Sequence, residues 1–158
     1  MLKEKINEDF KTAFKSKDEA VVSVLKMLKA AVLNKEKDKE YQFNKAGKDI
    51  ALAALEDVEI IDVISAEIKK LRDSLALFLQ GGRSDLADKA KNEINILMRY
   101  LPPQLGEDEV KKLVAEAVAL TGVTSVKDMG KVMAQLMPKV KGKADTGMVS
   151  KLVKEALA

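Results

Sequence analysis

Three lysines, Lys139, Lys141 and Lys143, alternate with small or apolar residues in the segment Pro138-Lys139-Val140-Lys141-Gly142-Lys143-Ala144-Asp145. Ammonium groups at this spacing suit an anion. Gly142 lets a backbone amide approach a ligand, and a helix opening at Asp145 or Thr146 would add N–H donors to the lysine charges. Phosphates of a nucleic acid fit such a set, held as point charges without reading of bases. The basic excess is local: from Lys127 to Lys143 five lysines stand against Asp128 alone, although the net charge of the whole chain is only +3. Arginines number three, Arg72, Arg83 and Arg99. Because bidentate readout of guanine favours arginine, a lysine-rich chain suits phosphate contact better than sequence recognition. The competing reading is a solvated basic loop, and an Asp145 cap would occupy a donor that a phosphate needs.

Other chemistry is sparsely represented. The chain has no Cys, His or Trp, which removes disulfides, the usual zinc sites, thiol nucleophiles and histidine triads. Serine nucleophiles need a neighbouring base, and no Ser–Lys motif supplies one. Glu56, Asp57, Glu59 and Asp62 could offer oxygen ligands to a divalent cation, but a helical acidic face is usually solvated. Met129, Met133 and Met137, four apart, read first as core filling and second as a partner-binding face. No catalytic residue, cofactor or metal set is expected.

These residues must be placed by helices. Apolar stripes recur with helical period: Ile6, Phe10 and Phe14 in a first helix, then Val21, Leu25, Leu28 and Val32 in a second. The Ser16-Lys17-Asp18 stretch supplies their turn and an N-cap. The second helix is expected to fray into a loop somewhere within the polar residues 34–48. A third helix, expected from about Ile50 to Gln80 and therefore ~45 Å long and the longest element, carries Ile61, Ile64, Ile68, Leu71, Leu75 and Phe78 and stops at Gly81-Gly82. Its heptad-like seam suits packing within a bundle. Ser84 is expected to cap a fourth helix, with Leu86, Ala90, Ile94, Leu97 and Leu101 as its inner face.

Pro102-Pro103 cannot continue that helix and marks a domain boundary. We therefore expect an N-terminal helical bundle over 1–101 and a C-terminal three-helix domain over 104–158. In the second, Glu107, Asp108 and Glu109 open a fifth helix with Leu113, Ala117 and Leu120 inward, and Gly122 ends it. Ser125 and Asp128 form a capping box for a sixth helix stopped near Pro138, and Asp145 caps a seventh with Val149, Leu152, Val153 and Leu157 inward. The fold class is all-α.

At 158 residues, 47% hydrophobic and 34% charged, the chain has the material for a packed core. Its longest uncharged run, Ala117 to Val126, is far below the ~20 residues of a membrane span. Lys3, Glu4, Lys5, Glu8 and Asp9 interrupt any apolar signal-peptide stretch, so a cytoplasmic protein without a membrane partner is expected.

The segments Arg72-Asp73-Ser74, Gly82-Arg83-Ser84-Asp85-Leu86, Tyr100-Leu101-Pro102-Pro103-Gln104-Leu105, Asp128-Met129-Gly130-Lys131-Val132-Met133 and Met137 to Asp145 occur in one order. In this the chain resembles the YqeY-like family, small proteins related to the C-terminal tail of the GatB subunit of the tRNA-dependent Asp/Glu amidotransferase. The resemblance implies a helical bundle followed by a small helical domain. It further implies association with tRNA, and an accessory role beside amidotransferase subunits that catalyse carbon–nitrogen ligation with glutamine as amide donor. By position, the family's basic helix–loop–helix element falls on Lys131, Lys139, Lys141, Gly142, Lys143 and Asp145. Thr146 stands where a Gly is usual, Ser150 where an Asn is usual, and Leu71 at a place that is often basic. A protein–protein adaptor with no RNA role is the alternative.

Overall fold

The structure, a computed structural model, describes residues 1–158. Its elements are α1 (Leu2–Ser16), α2 (Glu19–Lys45), a 3-10 turn at Ile50–Ala53, α3 (Asp57–Gln80), α4 (Ser84–Met98), α5 (Glu107–Thr121), a second 3-10 turn at Val126–Asp128, α6 (Met129–Val140) and α7 (Thr146–Leu157). No strand forms, and the fold is all-α. The chain divides into two compact units, Met1–Tyr100 and Leu101–Ala158.

In the first unit, α1 and α2 form the hairpin that their spacing dictates. Lys17 takes the left-handed conformation at φ 58, and the Asp18 carboxylate accepts from Val21 N at 3.1 Å to cap α2. Ile6, Leu25, Leu28, Ile60, Ile64 and Leu97 are buried in its core. Phe14, expected inward, is instead 68% exposed: Ala13 takes the inner position one turn beyond the half-buried Phe10. The Phe14 ring stacks on that of Phe10 with centroids 6.3 Å apart.

The second helix runs to Lys45, inside the polar stretch 34–48 where its end is expected, and its 27 residues make it, rather than α3, the longest element. Glu, Lys and Gln are good helix formers. Two ion pairs fasten this part of α2 to its neighbours, Lys3–Glu36 at 2.6 Å and Lys39–Glu59 at 2.7 Å. Correspondingly, α3 starts at Asp57 rather than Ile50 and spans about 36 Å. Asp49 caps the separate 3-10 turn by accepting from Ala51 N at 2.9 Å. Glu59 then reaches back to accept from Glu56 N at 2.9 Å, which sets the new helix start. The buried stripe of α3 is Ile60, Ile64 and Ile68, with Ile61, Leu71, Leu75 and Phe78 only half-buried.

Ser84 is not a cap. It is the first residue of α4, preceded by Arg83, whose guanidinium holds Asp85 at 3.1 and 2.9 Å. Along α4 the core side chains are Ala87, Ala90, Ile94, Ile96 and Leu97.

The second unit buries Val110, Val114, Ala117, Val132, Leu136, Val140 and Val149 with neighbouring α7 side chains. Gly122 ends α5 in the left-handed region at φ 64. Leu120, expected inward, is 74% exposed because the buried stripe runs through Val110, Val114 and Ala117, one position out of phase with it. Ser125 caps the 3-10 turn rather than α6, its Oγ accepting from Lys127 N at 3.3 Å. Pro138 lies inside α6, which continues to Val140. A proline in the last turn removes one backbone donor while the ladder resumes beyond it, with Lys141 N donating to Met137 O at 3.0 Å.

Candidate nucleic-acid interface

The α6–α7 connection holds the lysine segment, and its backbone is largely satisfied from within. Lys143 N and Ala144 N both donate to Val140 O, at 2.9 and 3.0 Å, closing the turn behind the helix. Gly142 lies at φ 70, a conformation that side chains with a Cβ resist. It is buried, so its contribution is the turn itself. Asp145 caps α7 by accepting from Met148 N at 2.9 Å, which removes one of the donors expected for an anion. A Cβ at Gly147 would stand 3.0 Å from the capping Asp145 Oδ1, so the glycine leaves room for the cap.

Two further residues brace this loop, and residue types alone did not single them out. Gln104 Nε2 donates to Gly142 O and to Pro102 O, both at 2.8 Å. Leu105 N donates to Lys143 O at 2.7 Å. The stretch after Pro102-Pro103 thus serves as a strut for the lysine loop. The signal available in the sequence was a glutamine with two donors directly behind a rigid proline pair.

With the backbone so fixed, the ammonium groups carry whatever binding the loop performs. Lys141 and Lys143 are exposed. Lys139, in the last turn of α6 where a cation suits the helix dipole, reaches Glu116 at 3.4 Å, with 46% of its side chain exposed. Such a solvated pair is weak and yields to a phosphate at little cost. Lys131 sits two turns back on α6, about 12 Å along the axis from Lys139, and pairs with Asp128 at 3.3 Å. Lys139 at the end of α6 and Lys141 and Lys143 in the turn after it thus lie within five residues at the α6–α7 connection, while Lys131 is apart. Thr146 is exposed at the start of α7, and Ser150 is half-buried one turn on.

Opposite charges elsewhere in this unit are matched locally. Glu107 lies 2.8 Å from Lys111, which holds the carboxyl below its ordinary range and raises the lysine. The acidic set of α3 serves structure: Asp57 Oδ1 accepts from Leu2 N at 2.9 Å, and Glu59 is held low by Lys39 and the Glu56 amide. No group of three His, Cys, Asp or Glu side chains is arranged to hold a metal ion. Met129, Met133 and Met137 are partly buried against the core of the unit. No helix is long and apolar enough to cross a membrane.

A sequence model of the family described as Yqey-like protein matches residues 3–157. The chain belongs to the YqeY-like family. Among curated relatives of this YqeY-like chain is "Altered inheritance of mitochondria protein 41, mitochondrial" of Pyrenophora tritici-repentis, 28% identical over 157 residues, covering 97% of this chain and 79% of that protein. Proteins of the same name from Lachancea thermotolerans and Candida glabrata are 31% and 28% identical over 96 residues, 61% of this chain. The chain aligns with about half of those two proteins, 46% and 47%. These names overturn the expectation of a cytoplasmic protein. That expectation tested for an apolar signal peptide, whereas mitochondrial targeting segments are amphipathic and basic, and absence of cysteine is equally compatible with either compartment.

Proposed function

We propose that this chain is a tRNA-associated helical module in which Lys139, Lys141 and Lys143 contact phosphates, acting as an accessory to glutamine-dependent amidotransferase subunits. The observation that carries the reading is the loop between α6 and α7: its backbone is fixed by Gln104 and Leu105 while its three lysines reach solvent. A pre-ordered loop backbone loses little entropy on binding. Contact of this kind recognises RNA through backbone and shape rather than bases. Catalysis is left to partner subunits.

Binding of purified protein to unacylated and aminoacylated tRNA, beside a variant carrying Lys139→Glu, Lys141→Glu and Lys143→Glu, tests the site. Binding lost in the variant supports it, and equal binding by both proteins refutes it. Co-purification of amidotransferase subunits with tagged protein tests the accessory role, with mitochondrial extract included because the relatives are named as mitochondrial. Absence of those subunits after gentle extraction removes that part.

A protein–protein adaptor is the second reading, favoured by Leu77 and Leu79 at the end of α3, which are 66% and 57% exposed. Under it, Leu77→Glu breaks a complex and leaves tRNA binding unaltered.

A further inference from the structure

The first unit contains a cavity of about 300 Å³ walled by α1, α2 and the start of α3. That is the lower end of the range of small-molecule sites. It is open to solvent on one side; Leu33 is its exposed apolar wall, and the core residues Ile6, Val32 and Ile60 lie beneath as its floor. Its charged wall is unbalanced. Lys3 and Glu36 neutralise one another at 2.6 Å, with only 12% of the Glu36 side chain exposed. Lys29 lies over the Phe10 ring, 4.5 Å from its centroid, and so answers to an aromatic face rather than to a carboxylate. Apart from Asn7 no neutral hydrogen-bonding side chain lines the space, so a polar ring would leave its own groups unpaired.

We propose that this cavity binds the alkyl chain of a medium-chain carboxylic acid, with the carboxylate paired to Lys29. An alkyl body needs no hydrogen-bond partners, and covering the exposed Leu33 with it draws on the hydrophobic effect. The single negative charge balances the surplus ammonium. Exchange of a cation–π contact for an ion pair asks only for a rotamer change of a half-exposed lysine. The site belongs to the first unit and is independent of the lysine loop in the second.

The experiment is titration of the whole chain with decanoate below its micellar concentration, followed by calorimetry and by amide NMR, with decanol as the uncharged comparison. Saturable binding at one site is expected, shifting the amides of Ala30, Val32, Leu33 and Ile60. Lys29→Gln should weaken decanoate roughly tenfold and leave decanol unchanged, since a hydrogen-bonded charge contributes that much. Ala30→Phe, on an exposed position of the lining, should fill the space and abolish binding of both. Decanoate that shifts none of these amides, binds without saturation, or binds both variants as it binds the parent chain overturns the proposal.

Discussion

Gly142 and Asp145 illustrate how single residues shape the lysine loop. One supplies the left-handed turn at φ 70 and the other closes the first turn of α7 by accepting from Met148 N. Asp145→Ala should cost about 1 kcal/mol, the usual loss of an N-cap, in urea unfolding followed by circular dichroism. Such local chemistry is what a sequence displays best: Asp18, Gly122 and Asp145 act as their types suggest. Ser84 and Ser125 do not cap α4 and α6, because a serine caps only where the backbone turns ahead of it. At α4 that turn falls on Arg83, and at Ser125 a 3-10 turn intervenes.

Tyr100 offers a second residue-scale test. Its partly buried hydroxyl donates to Asp9 Oδ2 at 2.7 Å, and burial together with that carboxylate pushes its pKa well above the ordinary 10.0. Below pH 10 both folded and unfolded chains keep the phenol proton, so this contribution to stability is complete. Above it the unfolded chain releases the proton first, and stability falls as pH rises. Tyr100→Phe should cost about 1 kcal/mol at neutral pH and flatten this alkaline decline in melting temperature.

At the scale of elements, the seven helices and their all-α arrangement follow from apolar residues three and four apart. The phase within a stripe does not. Ile60 rather than Ile61, Ala13 rather than Phe14, and Ala117 without Leu120 face inward, since neighbouring stripes differ by one residue and only the packing partner chooses between them. Element ends depend on the same non-local packing. Polarity locates the end of α2 only to within residues 34–48, and Glu36 and Lys39, fastened to other helices by ion pairs that no local window contains, lie on the part that stays helical to Lys45. The strut formed by Gln104 is likewise non-local. Gln104→Ala should remove the partner of Gly142 O, lower stability by about 1 kcal/mol and speed hydrogen exchange at the Leu105 amide, while leaving the helical content intact.

For the molecule as a whole, composition excludes thiol and histidine chemistry, because a chain without Cys or His cannot perform it. Compartment was not legible: the names of the relatives displaced the cytoplasmic expectation, and neither net charge nor the charged first ten residues carries that information. The lysine loop was legible as a charge pattern, whereas its rigidity was not, since that depends on a segment 38 residues away in sequence. A net charge of +3 gives little long-range attraction, so the RNA binding we propose would have to rest on contacts at the loop.

The salt dependence of tRNA affinity, measured for the parent chain and for the variant with Lys139, Lys141 and Lys143 changed to Glu, tests this most directly. If the three lysines contact phosphates, log affinity falls linearly with log salt for the parent chain, and the variant's slope is shallower by about two to three. Equal slopes and equal affinities would contradict a phosphate-binding loop and assign the exposed lysines to solubility alone.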